Sequence, residues 1–426
     1  MSAASPSRAR GRWPVPRLVV AATVAFGALC TAWSVVAPLG EAPDETAHLA
    51  LVWHLADGGD YPDFDDLQGQ AGSFRLCATY ASAIRACPRT GEVITPTGTR
   101  RHPVDEAPDK GSRPAWDDAG GAERVGPRNQ MPQHPPAYYR AMAAVLQVER
   151  GVLGHPLSAD RELALLRLVN VTLVLPLPFL AWWAARRFGA SERSAAVASL
   201  VPLGVPMLSH IGSTLNNDNL FTLEVALATA LVAGVVRGDR GTRTAVALGL
   251  VTALAFLTKG FAVVLPPVVV VAYLLGARDL EGWRPRLRAV AVPVAWAGGL
   301  TVALAGWWYV RVRSRTGRFA PSIEAERLTS DLQPPGFSPD VVAFGREFSA
   351  RLVERAWGSF GWYSVRVPMW WALAASAVVV AAVAVALAPR RDPAGNGGWA
   401  RLVVLAPLAA LGAFPIARSW DLYVIT

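Results

Sequence analysis

Long apolar blocks separated by short arginine-rich turns dominate the pattern of this chain. About nine blocks stand out: 18–38, 163–185, 195–211, 218–236, 244–258, 261–277, 289–310, 369–388 and 401–418. Most are long enough to cross a bilayer as helices. Arg8, Arg10, Arg12 and Arg17 precede the first block, which places the N-terminus on the cytoplasmic side. Alternation from there puts Arg186, Arg187 and Arg193 inside, then Arg237, Arg240 and Arg243, then Arg278 to Arg288, then Arg390, Arg391 and Arg401. Every short basic turn falls on one side, as the positive-inside bias requires.

The pattern therefore predicts an all-α, polytopic integral membrane protein of about nine transmembrane helices with two large extracytoplasmic loops. A basic cytoplasmic stretch, 1–17, leads into a first helix, 18–38, that lacks a clear small-residue cleavage site and reads as a retained anchor. The first external loop spans 39–162, a six-helix region 163–310, the second external loop 311–368, and a C-terminal membrane region 369–426. Within the first loop, Asp44 to Asp57 predicts a short interfacial helix, with His48 one turn beyond Asp44 on the same face. Residues 59–128, rich in Gly, Pro, Asp and Arg, predict an irregular lobe. Pro135 to Arg150 predicts a second amphipathic helix lying on the membrane.

Composition agrees with this picture. Hydrophobic residues make up 52% of 426 and charged residues 17%, against about a quarter charged in soluble domains. The formal charge of +9 is accounted for by the basic turns, and no aromatic-basic interleaving suggests nucleic acid. Only two lysines occur, Lys110 and Lys259, so Lys259 stands out in a chain that otherwise uses arginine. Cys30 fits as an apolar filler of the first helix. Cys77 and Cys87 share the first external loop, where an oxidising compartment would allow them to pair.

The candidate chemistry gathers at the external boundary. Asp44 and Glu45 follow the first span as adjacent carboxylates, suited to act as a base or to hold Mg²⁺ or Mn²⁺. Helix capping is the plainer reading of the same pair. His134 opens the segment His134-Pro135-Pro136-Ala137-Tyr138-Tyr139, in which Tyr138 and Tyr139 would wall a phosphate or sugar or anchor the surface. Ser213 to Asn219 predicts an outer turn in which Asp218 either caps the next span or, with Asn216, Asn217 and Asn219 in a polar run longer than a cap needs, takes part in a site. Glu224 lies deeper in the same span, where an ionisable group should face the bundle interior, and His210 lies near the same boundary. Lys259, in a tight outer hairpin, either snorkels to the interface or neutralises a phosphate. Arg311, Arg313, Arg315 and Arg318 leave the seventh span on the external side, against the orientation bias, as a site for a lipid phosphate or for anionic headgroups. His54, His102 and His155 read as surface residues.

Four motifs taken together resemble the polytopic GT-C glycosyltransferases: Asp44-Glu45 after the first span, His134-Pro135-Pro136 closing the first loop, Asn216-Asn217-Asp218, and Leu257-Thr258-Lys259. Ala42 to His48 and Trp357-Gly358-Ser359-Phe360-Gly361-Trp362 more closely resemble a bacterial domain-of-unknown-function membrane protein family grouped with them. The resemblance covers most of the chain, and from it we expect more sequence after the last span. It implies a bacterial plasma-membrane enzyme with its active face outside. Such an enzyme moves a sugar from a polyprenyl-phosphate donor to a glycan or lipid-linked acceptor. Asp44 would take the acceptor proton, with Glu45 beside it. His48, His134, Tyr138, Asn217, Asp218, Lys259, Arg311 and Arg313 would bind substrate. A second-loop carboxylate has no unambiguous match; Glu324 and Glu326 are the candidates. The competing expectation is a transporter or flippase-like protein for lipid-linked glycans, which would carry paired ionisable groups or broken helices near the midplane.

Overall fold

The computed structural model describes residues 14–40, 42–64, 66–73, 109, 111–321, 336–361, 365–387 and 419–420. Helix α1 (Arg17–Val36) is followed by α2 (Glu45–Ala56), α3 (Ala137–Leu153), α4 (Ala159–Val174) and α5 (Leu177–Phe188). Next come the short α6 (Glu192–Ala198) and α7 (Pro206–Gly212), then α8 (Asp218–Val236), α9 (Thr242–Thr258) and α10 (Leu265–Gly276). A long α11 (Trp283–Thr316), α12 (Val341–Trp357) and α13 (Met369–Leu387) complete the helices.

The protein is mostly helical. Among the described residues four helical stretches are long and apolar enough to cross a membrane: Arg17–Val36, Ala159–Phe188, Asp218–Val236 and Trp283–Thr316. A fifth arises if the pair Glu192–Gly204 and Pro206–Gly212, bent by 68°, counts as one span. That bend breaks the span expected over 195–211, because Pro202 and Pro206 each start a new helical turn. The blocks expected at 244–258 and 261–277 form shorter apolar helices, and 401–418 lies outside the described residues.

Two short ladders accompany the helices: Gln68–Gln70 pairs antiparallel with Arg124–Arg128 and Ser359–Phe360 with Val365–Arg366. There paired strands satisfy backbone groups that no helix serves. One local expectation is corrected: α2 does not lie on the surface. Leu49, Leu51, Val52 and Trp53 are fully buried there, with Tyr138, Tyr139 and Leu146 of α3 in the same cluster. The apolar face of α2 packs on α3, which still leaves its own Val148 and Val152 exposed.

Below this layer, α8, α9, α10 and α11 share one core built on Val225, Leu248, Leu265, Tyr273 and Ala297. Gly276 permits the closest approach: a Cβ there would lie 2.0 Å from the Val235 carbonyl oxygen of α8. Small residues at such crossings let helices pack in lipid by backbone contact. Helix α11, 34 residues long, extends about 51 Å at 1.5 Å per residue. Its C-terminal end reaches the layer formed by α2 and α3, where Trp308, Tyr309 and Val312 join their cluster.

Candidate functional site at one end of the bundle

The site begins where α1 turns into α2. Asp44 adopts a left-handed backbone, φ 59° and ψ 7°, as the sole non-glycine residue with positive φ among the described residues. Aspartate is among the few side chains that tolerate this region. The next residue, Glu45, is fully buried. Arg167 of α4 grips its two carboxylate oxygens from Nε and Nη2 at 2.8 and 2.6 Å. The amides of Gly40 and Leu215 donate to the same carboxylate at 2.9 and 3.1 Å. Arg167 also donates to the carbonyls of Ser34, Ala37 and Pro38.

Glu45 is thus a tie between the end of α1, the start of α2, α4 and the turn before α8. The expectation that it works beside Asp44 does not fit, because both of its oxygens are already engaged in a buried fork. A Mg²⁺ or Mn²⁺ shared by Asp44 and Glu45 does not fit this donor set for the same reason. Among the described residues no three His, Cys, Asp or Glu side chains converge as a metal site.

Asp44 faces the loop Asn129–Gln133 that precedes α3. Gln130 Nε2 donates to its Oδ1 at 3.1 Å. Asn129 pins that loop onto α2, donating to the Ala47 carbonyl and accepting from the Met131 amide, each at 2.9 Å. A single turn, Met131–Gln133, then delivers His134, whose carbonyl accepts from the Tyr61 hydroxyl at 2.7 Å. His48 stacks on Tyr139 and shares a 2.9 Å hydrogen bond with its hydroxyl. Tyr138 donates to Asn170 Oδ1 at 2.9 Å.

Burial sets the charge states here. It lowers His48 to about 3, with the Lys259 ammonium adding to the effect and Asp218 opposing it. His134 falls well below the usual histidine range for the same first reason, and again feels Lys259, His48 and Asp218. Both imidazoles are neutral at pH 7. His134 therefore contributes hydrogen bonds rather than the positive charge expected of a phosphate-holding cation. Burial likewise pushes the Tyr139 phenol up, reinforced by Tyr61, Tyr138, Asp218 and Asp44.

The third part is the turn before α8 and the end of α9. Asn216 Oδ1 accepts from the Asp218 amide at 2.9 Å. Asn219 Nδ2 donates to Asn170 Oδ1, the Thr214 carbonyl and the Ile211 carbonyl at 2.9–3.0 Å. Those two asparagines hold the turn, which leaves the Asp218 carboxylate to form an ion pair with Lys259 Nζ. Lys259 ends α9 in an extended conformation, φ −154° and ψ 136°, with its ammonium 5.2 Å from the Phe261 ring. Its side chain is 12% exposed and that of Asp218 45%. Asn217 is buried, and its Nδ2 has no partner among the described residues.

The arginines in the last turns of α11 diverge. Arg311 packs over Trp308 and donates to the Tyr61 carbonyl at 3.4 Å. It borders a cleft with about 20 Å³ of interior space, beside Asp63, Pro132 and Gln133. Arg315 pairs with Asp63, whereas Arg313 packs over Phe319 instead. Arg311 adjoins the loop that carries His134 and shares Asp63 with Arg315, at 3.7 Å from Arg311 Nη2, while Arg313 turns to Phe319. Cys77, Cys87, Glu324 and Glu326 lie outside the described residues, and with them the expected disulfide.

Three participants escape the sequence reading: Arg167, Gln130 and Asn170. Arg167 left a signal, since a cation inside an apolar span demands a buried partner. Gln130 and Asn170 left none, because a single neutral amide has no distinguishing pattern.

The fold and this buried polar cluster define a helical membrane protein that carries a group of interacting ionisable residues at one end of its bundle. Residues 28–417 match the family described as predicted membrane protein (DUF2142), and the chain belongs to that family. The crystal structure of the apo oligosaccharyltransferase of Archaeoglobus fulgidus is similar at a TM-score of 0.38 and 11% identity, over 96% of this chain and 56% of that one. The chain thus spans about half the length of that protein. No curated protein matches.

Proposed function

We propose that this protein is a membrane glycosyltransferase that takes a sugar from a polyprenyl-phosphate donor and transfers it to a glycan or lipid-linked acceptor. The observation that carries the reading is the convergence of Asp44, His48, His134, Asp218 and Lys259, from four separate stretches of chain, at one end of an apolar bundle. A lipid-phosphate donor presents its reacting atoms at that level, while its tail remains in the hydrocarbon. The motif resemblance to GT-C enzymes supports the same reaction class.

In this scheme an Asp44 oxygen takes the proton of the acceptor hydroxyl. The acceptor oxygen bonds to the anomeric carbon, and the bond from that carbon to the phosphate oxygen breaks. The electron pair leaves with the lipid phosphate, whose charge Lys259 stabilises, and Arg311 adds a second cation at the rim. Neutral His134 donates a hydrogen bond to the phosphate or sugar, and Tyr138 and Asn217 line the sugar subsite.

The layout belongs to the proposal too: about nine spans in a bacterial plasma membrane, with this end outside. It is supported by the one-sided basic turns and by the shorter apolar helices Thr242–Thr258, Gly260–Gly276 and Met369–Val385. The test is transfer of labelled sugar from a polyprenyl-phosphate donor pool. Membranes containing the protein should carry it out and matched membranes lacking it should not.

A further inference from the structure

Glu224 has no role in that scheme, yet it is buried one and a half turns into α8, 1% exposed. Its Oε1 lies 2.8 Å from the hydroxyl of Thr258, the last residue of α9. That hydroxyl also lies 2.9 Å from the Leu254 carbonyl. Glu224 Oε2 has no partner among the described residues, and no cation pairs with the carboxyl there.

Counting hydrogens decides the arrangement. A threonine hydroxyl has one hydrogen to give. It cannot serve two acceptors fully, and a protonated carboxyl resolves the shortage: the Leu254 carbonyl takes the Thr258 hydrogen and Glu224 donates its own to the hydroxyl oxygen. An ionised carboxylate inside an apolar span with no cation would be costly as well.

Thr258 immediately precedes Lys259, so α8 fastens the corner after α9 at two adjacent residues. Asp218 holds Lys259, and Glu224, six residues or about 9 Å further along the axis, holds Thr258. We propose that Glu224 is a positioning residue: as a neutral acid donating to Thr258, it fixes the end of α9 so that the Lys259 ammonium stays turned onto Asp218. Its consequence for catalysis rests on the proposed function; the arrangement of Lys259 does not.

The chain has only one other lysine, Lys110, so amine labelling in a Lys110→Arg background reports on Lys259 cleanly. Peptide mapping after acylation of the purified full chain gives its labelling rate. Glu224→Leu and Thr258→Val should each raise that rate by about tenfold, the effect of losing about 1.4 kcal/mol of ordering. Glu224→Gln, whose amide still donates to Thr258, should restore the slow rate. Asp218→Asn serves as the control that frees Lys259 directly. Infrared difference spectra of wild type against Glu224→Gln should show loss of a protonated carboxylic acid carbonyl stretch.

Loss of carboxylate bands instead would overturn the proposal. So would wild-type labelling in Glu224→Leu and Thr258→Val when Asp218→Asn labels fast. If the labelling and the spectra come out as expected while wild type transfers no sugar, the positioning role stands and the glycosyltransferase reading falls.

Discussion

Arg167 closes its fork on Glu45 at 2.6 and 2.8 Å with both side chains almost wholly buried. Through that contact the helix carrying Arg167 fixes the corner from which Asp44 projects. A buried pair of this kind is costly to break from one side, because the remaining charge is left uncompensated. Arg167→Leu or Glu45→Gln should each destabilise the protein by about 3–5 kcal/mol. The double variant Glu45→Leu/Arg167→Met should recover part of that loss. Thermal unfolding in detergent reads all three, and additive losses in the double variant would contradict the coupling.

Asp44 has a backbone requirement separate from its chemistry. Its φ of 59° costs most residues about 1–2 kcal/mol, while asparagine and glycine tolerate it. Asp44→Asn and Asp44→Gly should therefore unfold near the wild-type temperature, and Asp44→Ala measurably below it. Equal stability of all three would show that the left-handed turn is not enforced.

His48 and His134 are held neutral by burial, and this fixes the sign of a pH effect. The unfolded chain binds protons at these histidines near pH 6.5, whereas folded His48 does so only near 3. Stability from this source is intact above about pH 6.5 and is lost as pH falls toward 3. The loss for His48 is on the order of a few kcal/mol when complete. Unfolding midpoints measured from pH 7 to pH 4 should fall more steeply for wild type than for His48→Gln; parallel curves would contradict a buried neutral His48.

Lys259 is paired with Asp218 within the cluster. If it stabilises a departing phosphate, Lys259→Met should lower sugar transfer by roughly 10²-fold, the scale of one lost transition-state charge partner. Lys259→Arg should retain part of the rate. Asp218→Asn, which leaves the cation in place but unheld, should fall between wild type and Lys259→Met. Initial rates at saturating donor separate these cases.

Much of this cluster is legible in the chain because ionisable groups beside long apolar runs are conspicuous. Asp44, His134, Asp218 and Lys259 each stand out against their neighbours, and the structure brings Asp218 and Lys259 into contact. Glu45 looked equivalent to Asp44 only because its partner lies 122 residues away, beyond any local pattern. The helix after Asp44 has apolar residues on nearly every side, which describes a core helix as well as an interfacial one. Only the presence of α3 against it decides between them. The broken span near Pro202 and Pro206 was visible as prolines, but a proline in an apolar run marks a kink or a break alike.

The most direct test of the account compares wild type with Asp44→Asn. Asparagine keeps the left-handed turn and a side-chain contact for Gln130, but it cannot take up a proton as the carboxylate does. Membranes expressing each protein at equal level are given a radiolabelled polyprenyl-phosphate sugar donor. The account predicts transfer by wild type and its loss in Asp44→Asn at unchanged stability. Equal transfer by both would remove Asp44 from the chemistry, and no transfer by either would contradict the enzyme itself.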